Sequence, residues 1–503
     1  MRRSPQQRTN LQRSATFGAL SLPYDNRFRP DEAATLQTAI VGSVVVASDP
    51  HYDRRRLGFF RAEESLPQMI CYCEVPRDVQ LCLAFAADHG LTPVCRSGGH
   101  STAGFSVNDQ MVIDVSRISY VVVDEVNRTA RIGAGTNFQK VEAVLSPYGL
   151  HVPGGGCLSV AVAGYMQGGG YSFTSQMFGM NCDNVVGCVV ATAAGDIVTA
   201  DEDTNVELFW ALRGGTGNNF GVLLEITYRL HELGELRGFG LRWPLDTEAD
   251  RRLASEALAV WQAHCTGASA APDMGTQVFI VDVARPPSGA LRPELLIRGM
   301  HRGDEAAATA ALAPLVALCP DGGAHDVWVA GTYETLNDHL MSYPTEIPDV
   351  PPTIRAAIES RIVADRLTTR DWLGLLDSFA RAEPASTMIV AEGYGGAINR
   401  PAPDDTAFVH RRASMDVFMW AFWMYDDGRE RAERHLDEFR ALMEPLSNGH
   451  ANQNYPNRRT PAHAYPQLYW GDNYPRLQAV KARYDPTTLF AFPHMVHPPQ
   501  PAR

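Results

Sequence analysis

At 503 residues the chain exceeds what a single hydrophobic core usually organises, so two domains are expected. Its 45% hydrophobic and 20% charged residues are those of an ordinary folded protein, and a net charge of −13 spread along the chain argues against a nucleic-acid-binding face. No apolar run approaches the roughly 18 residues of a membrane helix, and nine cysteines, an odd number scattered from Cys71 to Cys319, do not make a secreted disulfide framework.

In chain order, the start carries an Arg pair followed only by "FGAL" and a proline, too little for a signal-peptide core. A flexible N-terminal arm over 1–35 and a cytoplasmic location are expected. "TAIVGSVVVAS" and "MICYCEVP" predict strands, and "RDVQLCLAFAADHG" predicts a helix with apolar residues at helical spacing and a glycine stop. "TPVCRSGG", "MVIDVSRI", "YVVVDEVNRTARIGAG" and "NVVGCVVATAAGDIVTA" predict short strands broken by Gly, Asn and Asp turns, an α+β pattern rich in hairpins. After about residue 230 the strands lengthen: "MGTQVFIVDVA", "PELLIRGM", "STMIVAEGYGGAINR" and "SMDVFMWAFWMY" alternate with helices such as "DEAAATAALAPLVAL" and "RERAERHLDEFRALM". This predicts a second domain of antiparallel sheet covered by helices on one face.

Two stretches concentrate glycine around a reactive side chain. "CRSGGHSTAG" at 95–104 sets His100 directly behind two glycines, and "HVPGGGCLSVAVAGYMQGGGYS" at 151–172 does the same for Cys157. Glycine lets a bound group lie against the main chain, so Gly154, Gly155, Gly156, Gly164, Gly168, Gly169 and Gly170 could present N–H groups to a flat or anionic ligand such as a pyrophosphate. Neither stretch has the strand, G-x-G-x-x-G, helix order of a nicotinamide site, and no glycine run ends in Gly-Lys-Ser/Thr. "CYC" at 71–73 lacks the paired spacing of a zinc site, so no metal is expected.

Taken together, these stretches resemble the berberine bridge enzyme-like flavoproteins of the vanillyl alcohol oxidase superfamily. The resemblance runs from "SDPHYDRRR" through both glycine segments to "NVELFWALRGGTGNNFGVLLEITYRL". It resumes at "NQNYPN" and "YWGDNYPRLQAVKARYDPTTLF" near the C-terminus. It implies a two-domain FAD-binding fold with an FAD-binding domain at 36–230, a substrate-binding domain at 231–447 and a C-terminal segment, 448–503, returning to the first domain. It further implies FAD held by two covalent bonds, from His100 to the 8α-methyl group and from Cys157 to ring carbon six. Further cofactor contacts are expected from Arg96, Ser97, Gly98, Gly99, Ser101, Gly104, Gly156, Gly164, Gly168, Gly169, Gly221 and Val222.

For catalysis, the resemblance makes Tyr455 in "NQNYPN" the base for a substrate hydroxyl, with Tyr171 a second active-site tyrosine and Glu392 an acidic partner of the base. Asn454 is expected to donate to flavin or substrate. The sequence departs from the family in having Asn452 where many relatives carry a tyrosine and Asn457 where an acid is common, so the pocket loses a phenol and a carboxylate. In "SMDVFMWAFWMY", period-two alternation puts Asp416, Phe418, Trp420 and Phe422 on one face and Val417, Met419, Ala421 and Trp423 on the other; one face is expected under helices and the other is a candidate roof for the flavin, with core packing the favoured fate of either. The implied activity is an FAD-dependent oxidase that takes a hydride from an alcohol- or amine-bearing carbon of a carbohydrate or secondary metabolite, with O2 as electron acceptor. An oxidative cyclase or a dehydrogenase on the same scaffold, and a ligand-binding flavoprotein without turnover, remain open.

Overall fold

The computed structural model describes residues 27–60, 65–268, 270–285, 288–320, 329–342 and 355–499. Most of the expected arm, 1–26, lies outside them. Its last residues depart from the expectation: a helix spans Pro30–Ala39, started by a proline at its first turn, and Phe28, Ala33 and Leu36 are buried in the core.

The N-terminal half carries two sheets. The first has β1 (Ser43–Val46), β2 (Met69–Tyr72), β3 (Pro93–Arg96) and β4 (Met111–Asp114) in the order β1-β2-β4-β3. The β2/β4 and β3/β4 pairs are parallel, so the hairpin expectation fails here. Each strand is four residues long, and the crossover from β2 to β3 is the amphipathic helix Pro76–Asp88, whose Val79, Cys82, Leu83 and Ala86 face the core. The second sheet is antiparallel. With β5 (Val121–Asp124), β6 (Thr129–Gly133), β8 (Val185–Ala191), β9 (Ile197–Asp201) and β10 (Val222–Arg229), its order is β5-β6-β10-β8-β9; β7 (Leu150–His151) and β11 (His231–Glu232) form a small ribbon beside it. Both main sheets share one hydrophobic core, to which Tyr465, Trp470, Leu477 and Phe490 of the C-terminal segment also belong.

The rest of the chain builds a seven-stranded antiparallel sheet. Its strands are β12 (Leu236–Pro244), β13 (Met274–Arg285), β14 (Ala290–Arg302), β15 (Val329–Gly331), β16 (Arg355–Val363), β17 (Thr387–Gly393) and β18 (Met415–Trp423), in the order β15-β12-β14-β13-β17-β18-β16. One face packs under the helices Glu248–Cys265, Glu305–Val316, Thr369–Arg381 and Arg429–Met443; Val417, Met419, Ala421 and Trp423 of β18 belong to that core. The other face looks back at the N-terminal half.

Candidate active site

Between that second face and the glycine segments lies a cavity of about 900 Å³. This is at the upper end of the range for small-molecule sites and large enough for a dinucleotide cofactor with a substrate beside it. His100, Cys157, Ser97, Gly98, Gly99, Ser101, Gly156, Gly164, Gly221 and Val222 line it, as do Tyr455, Tyr171, Glu392 and Asn454. Four other anticipated cofactor contacts lie elsewhere. Arg96 is buried with its guanidinium spent on Asp114, the Arg55 carbonyl and the Tyr72 hydroxyl, so it secures the end of β3. Gly104 sits behind the cavity wall, Gly169 abuts Phe408, and Gly168 lets Asn454 approach so closely that a Cβ there would lie 1.9 Å from its Oδ1.

The wall opposite the sheet, the candidate cofactor wall, presents backbone. The N–H groups of Gly98, Gly99, His100 and Ser101 have no hydrogen-bond partner among the described residues, and all four residues line the cavity. Successive unpaired N–H groups form a concavity for an anion, as a pyrophosphate requires. Gly99 enables the turn with φ of +71°, and Gly98 packs so tightly that a Cβ would meet Ala161 N at 2.8 Å. Gly164 differs: a Cβ there would meet nothing within 4 Å, because it fronts open cavity. Unpaired donors, an open floor and this volume fit FAD.

His100 and Cys157 come from loops 57 residues apart, yet both reach the hydroxyl of Ser159, at 3.0 Å from His100 Nε2 and 3.3 Å from Cys157 Sγ. Burial lowers the His100 pKa to about 4, so its imidazole is neutral with one nitrogen lone pair available. The Cys157 loop is clamped from the helix Tyr333–Met341: the Tyr333 hydroxyl donates to Gly154 O at 3.1 Å and Asn337 Nδ2 to Gly156 O at 2.9 Å. Sequence reading missed Ser159, Tyr333 and Asn337 because nothing local marks a side chain that acts across a loop or a domain.

The opposite wall is made of side chains. Tyr455 donates to Glu392 Oε1 at 3.1 Å, and Gln277 Nε2 donates to the same oxygen at 3.2 Å. Gln277, Glu392 and Asp416 stand opposite one another across β13, β17 and β18 and form one polar row. Burial, then the neighbouring Asp416 charge, pushes Glu392 well above the carboxylate range; burial, then Glu392, likewise raises Tyr455. Asp416 is raised to about 7 by burial, while bonds from Asn452 Nδ2 and Ser360 Oγ work against that shift. An Asp416 role was not foreseen, because only the strand register sets it beside Glu392.

Tyr171 reaches the cavity, but its hydroxyl donates to Thr276 O at 2.9 Å, which makes it a packing group against Tyr394 in this arrangement. Asn454 Nδ2 donates to Tyr165 O at 3.0 Å, leaving one amide hydrogen for a ligand. Asn452 lines the cavity and ties the Tyr455 loop to Asp416, whereas Asn457 turns to the buried Glu359 and leaves the cavity. The two faces of β18 divide: Val417, Met419, Ala421 and Trp423 pack under the helices, while Phe418, Trp420 and Phe422 roof the cavity, so the favoured core fate holds for one face and the roof reading for the other.

A sheet-roofed cavity set against an N–H-lined wall is the arrangement that a flavin dinucleotide with a substrate beside it requires. Residues 67–201 match the FAD binding domain family and residues 451–497 the berberine and berberine like family. The chain is 26% identical over 468 residues to the chitooligosaccharide oxidase of Gibberella zeae, covering 88% of each. It is 28% identical over 478 residues to the (R)-6-hydroxynicotine oxidase of Paenarthrobacter nicotinovorans, covering 92% of this chain and 97% of that one. The glucooligosaccharide oxidase of Acremonium strictum, whose flavin is named as 6-S-cysteinyl, 8α-N1-histidyl FAD, superposes with a TM-score of 0.78 at 21% identity over 92% of this chain and 98% of that one. The protein is an FAD-dependent oxidoreductase that matches the FAD binding domain family and, near its C-terminus, the berberine and berberine like family. Among the described residues, no helix is long and apolar enough to cross a membrane.

Proposed function

We propose that the protein is an oxidase in which FAD, joined covalently to His100 and Cys157, takes a hydride from the alcohol- or amine-bearing carbon of a carbohydrate or secondary metabolite, with O2 as final acceptor and H2O2 as product. The observation that carries this reading is the convergence of His100, Cys157 and the Tyr455–Glu392 pair on one cavity. When bound, the flavin supplies the hydride acceptor. The remaining chemistry falls to the chain.

His100 offers a neutral ring nitrogen and Cys157 a sulfur on a clamped loop, with Ser159 orienting both. The backbone donors of Gly98 to Ser101 hold the anionic part of the cofactor. Tyr455 receives the hydroxyl proton of the substrate as its own proton passes to Glu392 Oε1, which requires Glu392 to be ionised. Because burial raises Glu392, kcat/KM is expected to climb with pH at values well above the usual carboxylate range. Below that limb Glu392 is protonated and the relay has no acceptor.

The test is acid precipitation of the purified protein followed by peptide mapping, with oxygen uptake and H2O2 measured during turnover. Yellow pellet and flavin on both the His100 and Cys157 peptides are expected. Flavin left wholly in the supernatant removes the bicovalent reading, and turnover without oxygen uptake removes the oxidase.

A further inference from the structure

The cavity roof sorts its side chains by row. Gln277 and Glu392 form the row nearest Tyr455. The next is Phe279, Val390 and Phe418, then Met388 and Trp420, then Phe422 facing Ala356 across to β16. At about 6.8 Å between same-face rows, the apolar part of the roof runs about 14 Å from Phe418 to Phe422. Among the described residues that line this part of the roof, only the Trp420 indole carries an N–H or O–H group.

The aromatic rings there are arrayed for stacking. Trp420 lies parallel to Phe422 at 6.1 Å and 5°, and Phe60 of the N-terminal half stacks on Trp420 at 4.9 Å and 27°. The polar end is different: Gln277 Oε1 and Glu392 Oε2 are buried with no hydrogen-bond partner. Beside Tyr455, an amine of a ligand can donate to both oxygens, and a hydroxyl can donate its one hydrogen to either oxygen or to Tyr455.

From this arrangement we infer that the site takes a planar, multi-ring, largely apolar molecule presenting a single hydroxyl or amine to Tyr455, and that Trp420 and Phe422 impose this preference over an oligosaccharide. The inference rests on the oxidase reading above and narrows its substrate class. An oligosaccharide carries several hydroxyls on every ring, and Phe418, Met388 and Phe422 offer those of the second and third rings no hydrogen-bond partner from the roof. A fused aromatic system meets the same surface with its faces and loses no hydrogen bonds.

The experiment titrates the flavin-loaded protein with 2-naphthalenemethanol, cellobiose and diacetylchitobiose, following flavin absorbance anaerobically. The naphthyl alcohol should perturb the flavin spectrum at concentrations at least tenfold below either disaccharide. Trp420→Ala and Phe422→Ala, with flavin content unchanged, should each weaken that binding tenfold or more. Equal or tighter binding of a disaccharide, no perturbation by any probe, or flavin-loaded variants that bind like the parent overturns the inference. Bleaching is read separately: Trp420-dependent perturbation without bleaching by any alcohol removes the oxidase reading and leaves the ligand preference standing.

Discussion

The two walls of the cavity are built by opposite means. The wall opposite the sheet presents main-chain N–H groups exposed by glycines, with His100, Cys157 and Ser159 grouped beside them. The roof uses side chains alone, set by strand register into one polar row and three apolar ones. A backbone wall suits a ligand held by its anionic part, and a side-chain wall can change its ligand by substitution without disturbing the fold.

The contrast can be broken most forcefully at the proton relay. Tyr455→Phe should leave flavin binding intact, because Tyr455 lies on the roof side, and should slow anaerobic flavin reduction by about 10²- to 10⁴-fold. Equal reduction rates in the variant would move the base elsewhere.

A second effect concerns pH and stability. Asp416 is raised from its ordinary value to about 7, and Glu392 is shifted in the same direction. Such groups bind protons more tightly when folded, so their contribution is fully present below the unfolded carboxylate pKa, about 4, and is lost as pH rises through about 7. Thermal unfolding should therefore show a stability decline between about pH 4 and 7, and Asp416→Asn should flatten it. A variant with the parental slope would contradict the buried titration.

At the cofactor side, close packing of glycine replaces titration. Gly168→Ala forces a Cβ against Asn454, displacing the loop that carries Tyr455, and should cost about 1–3 kcal/mol in unfolding free energy. Gly164→Ala meets no protein atom, so its effect should fall on flavin affinity with the stability of the flavin-free protein unchanged. The smallest expected change is Ser159→Ala, about 1 kcal/mol for its hydrogen bonds, seen as a lower fraction of protein with both flavin linkages by mass spectrometry.

That the glycine segments around His100 and Cys157 would line one cavity could be anticipated from the sequence because both are contiguous motifs. The same local reading overreached at Arg96, where a residue adjacent to the motif is consumed by Asp114, and at Gly168, where the glycine serves Asn454. Tyr455, Glu392 and the alternation along β18 were also readable, but the pairing of Tyr455 with Glu392 spans 63 positions and the choice of which β18 face meets the cavity depends on where the helices pack.

Local pattern and motif combination carry the FAD-binding class, the two-part organisation and the placement of His100 and Cys157 behind glycines. Tertiary structure alone decided that Ser159 joins His100 to Cys157, that Asp416 stands beside Glu392, and that Phe418, Trp420 and Phe422 form a roof. These are consequences of register and packing between segments distant in the chain, where one residue of slip would turn each side chain to the other face.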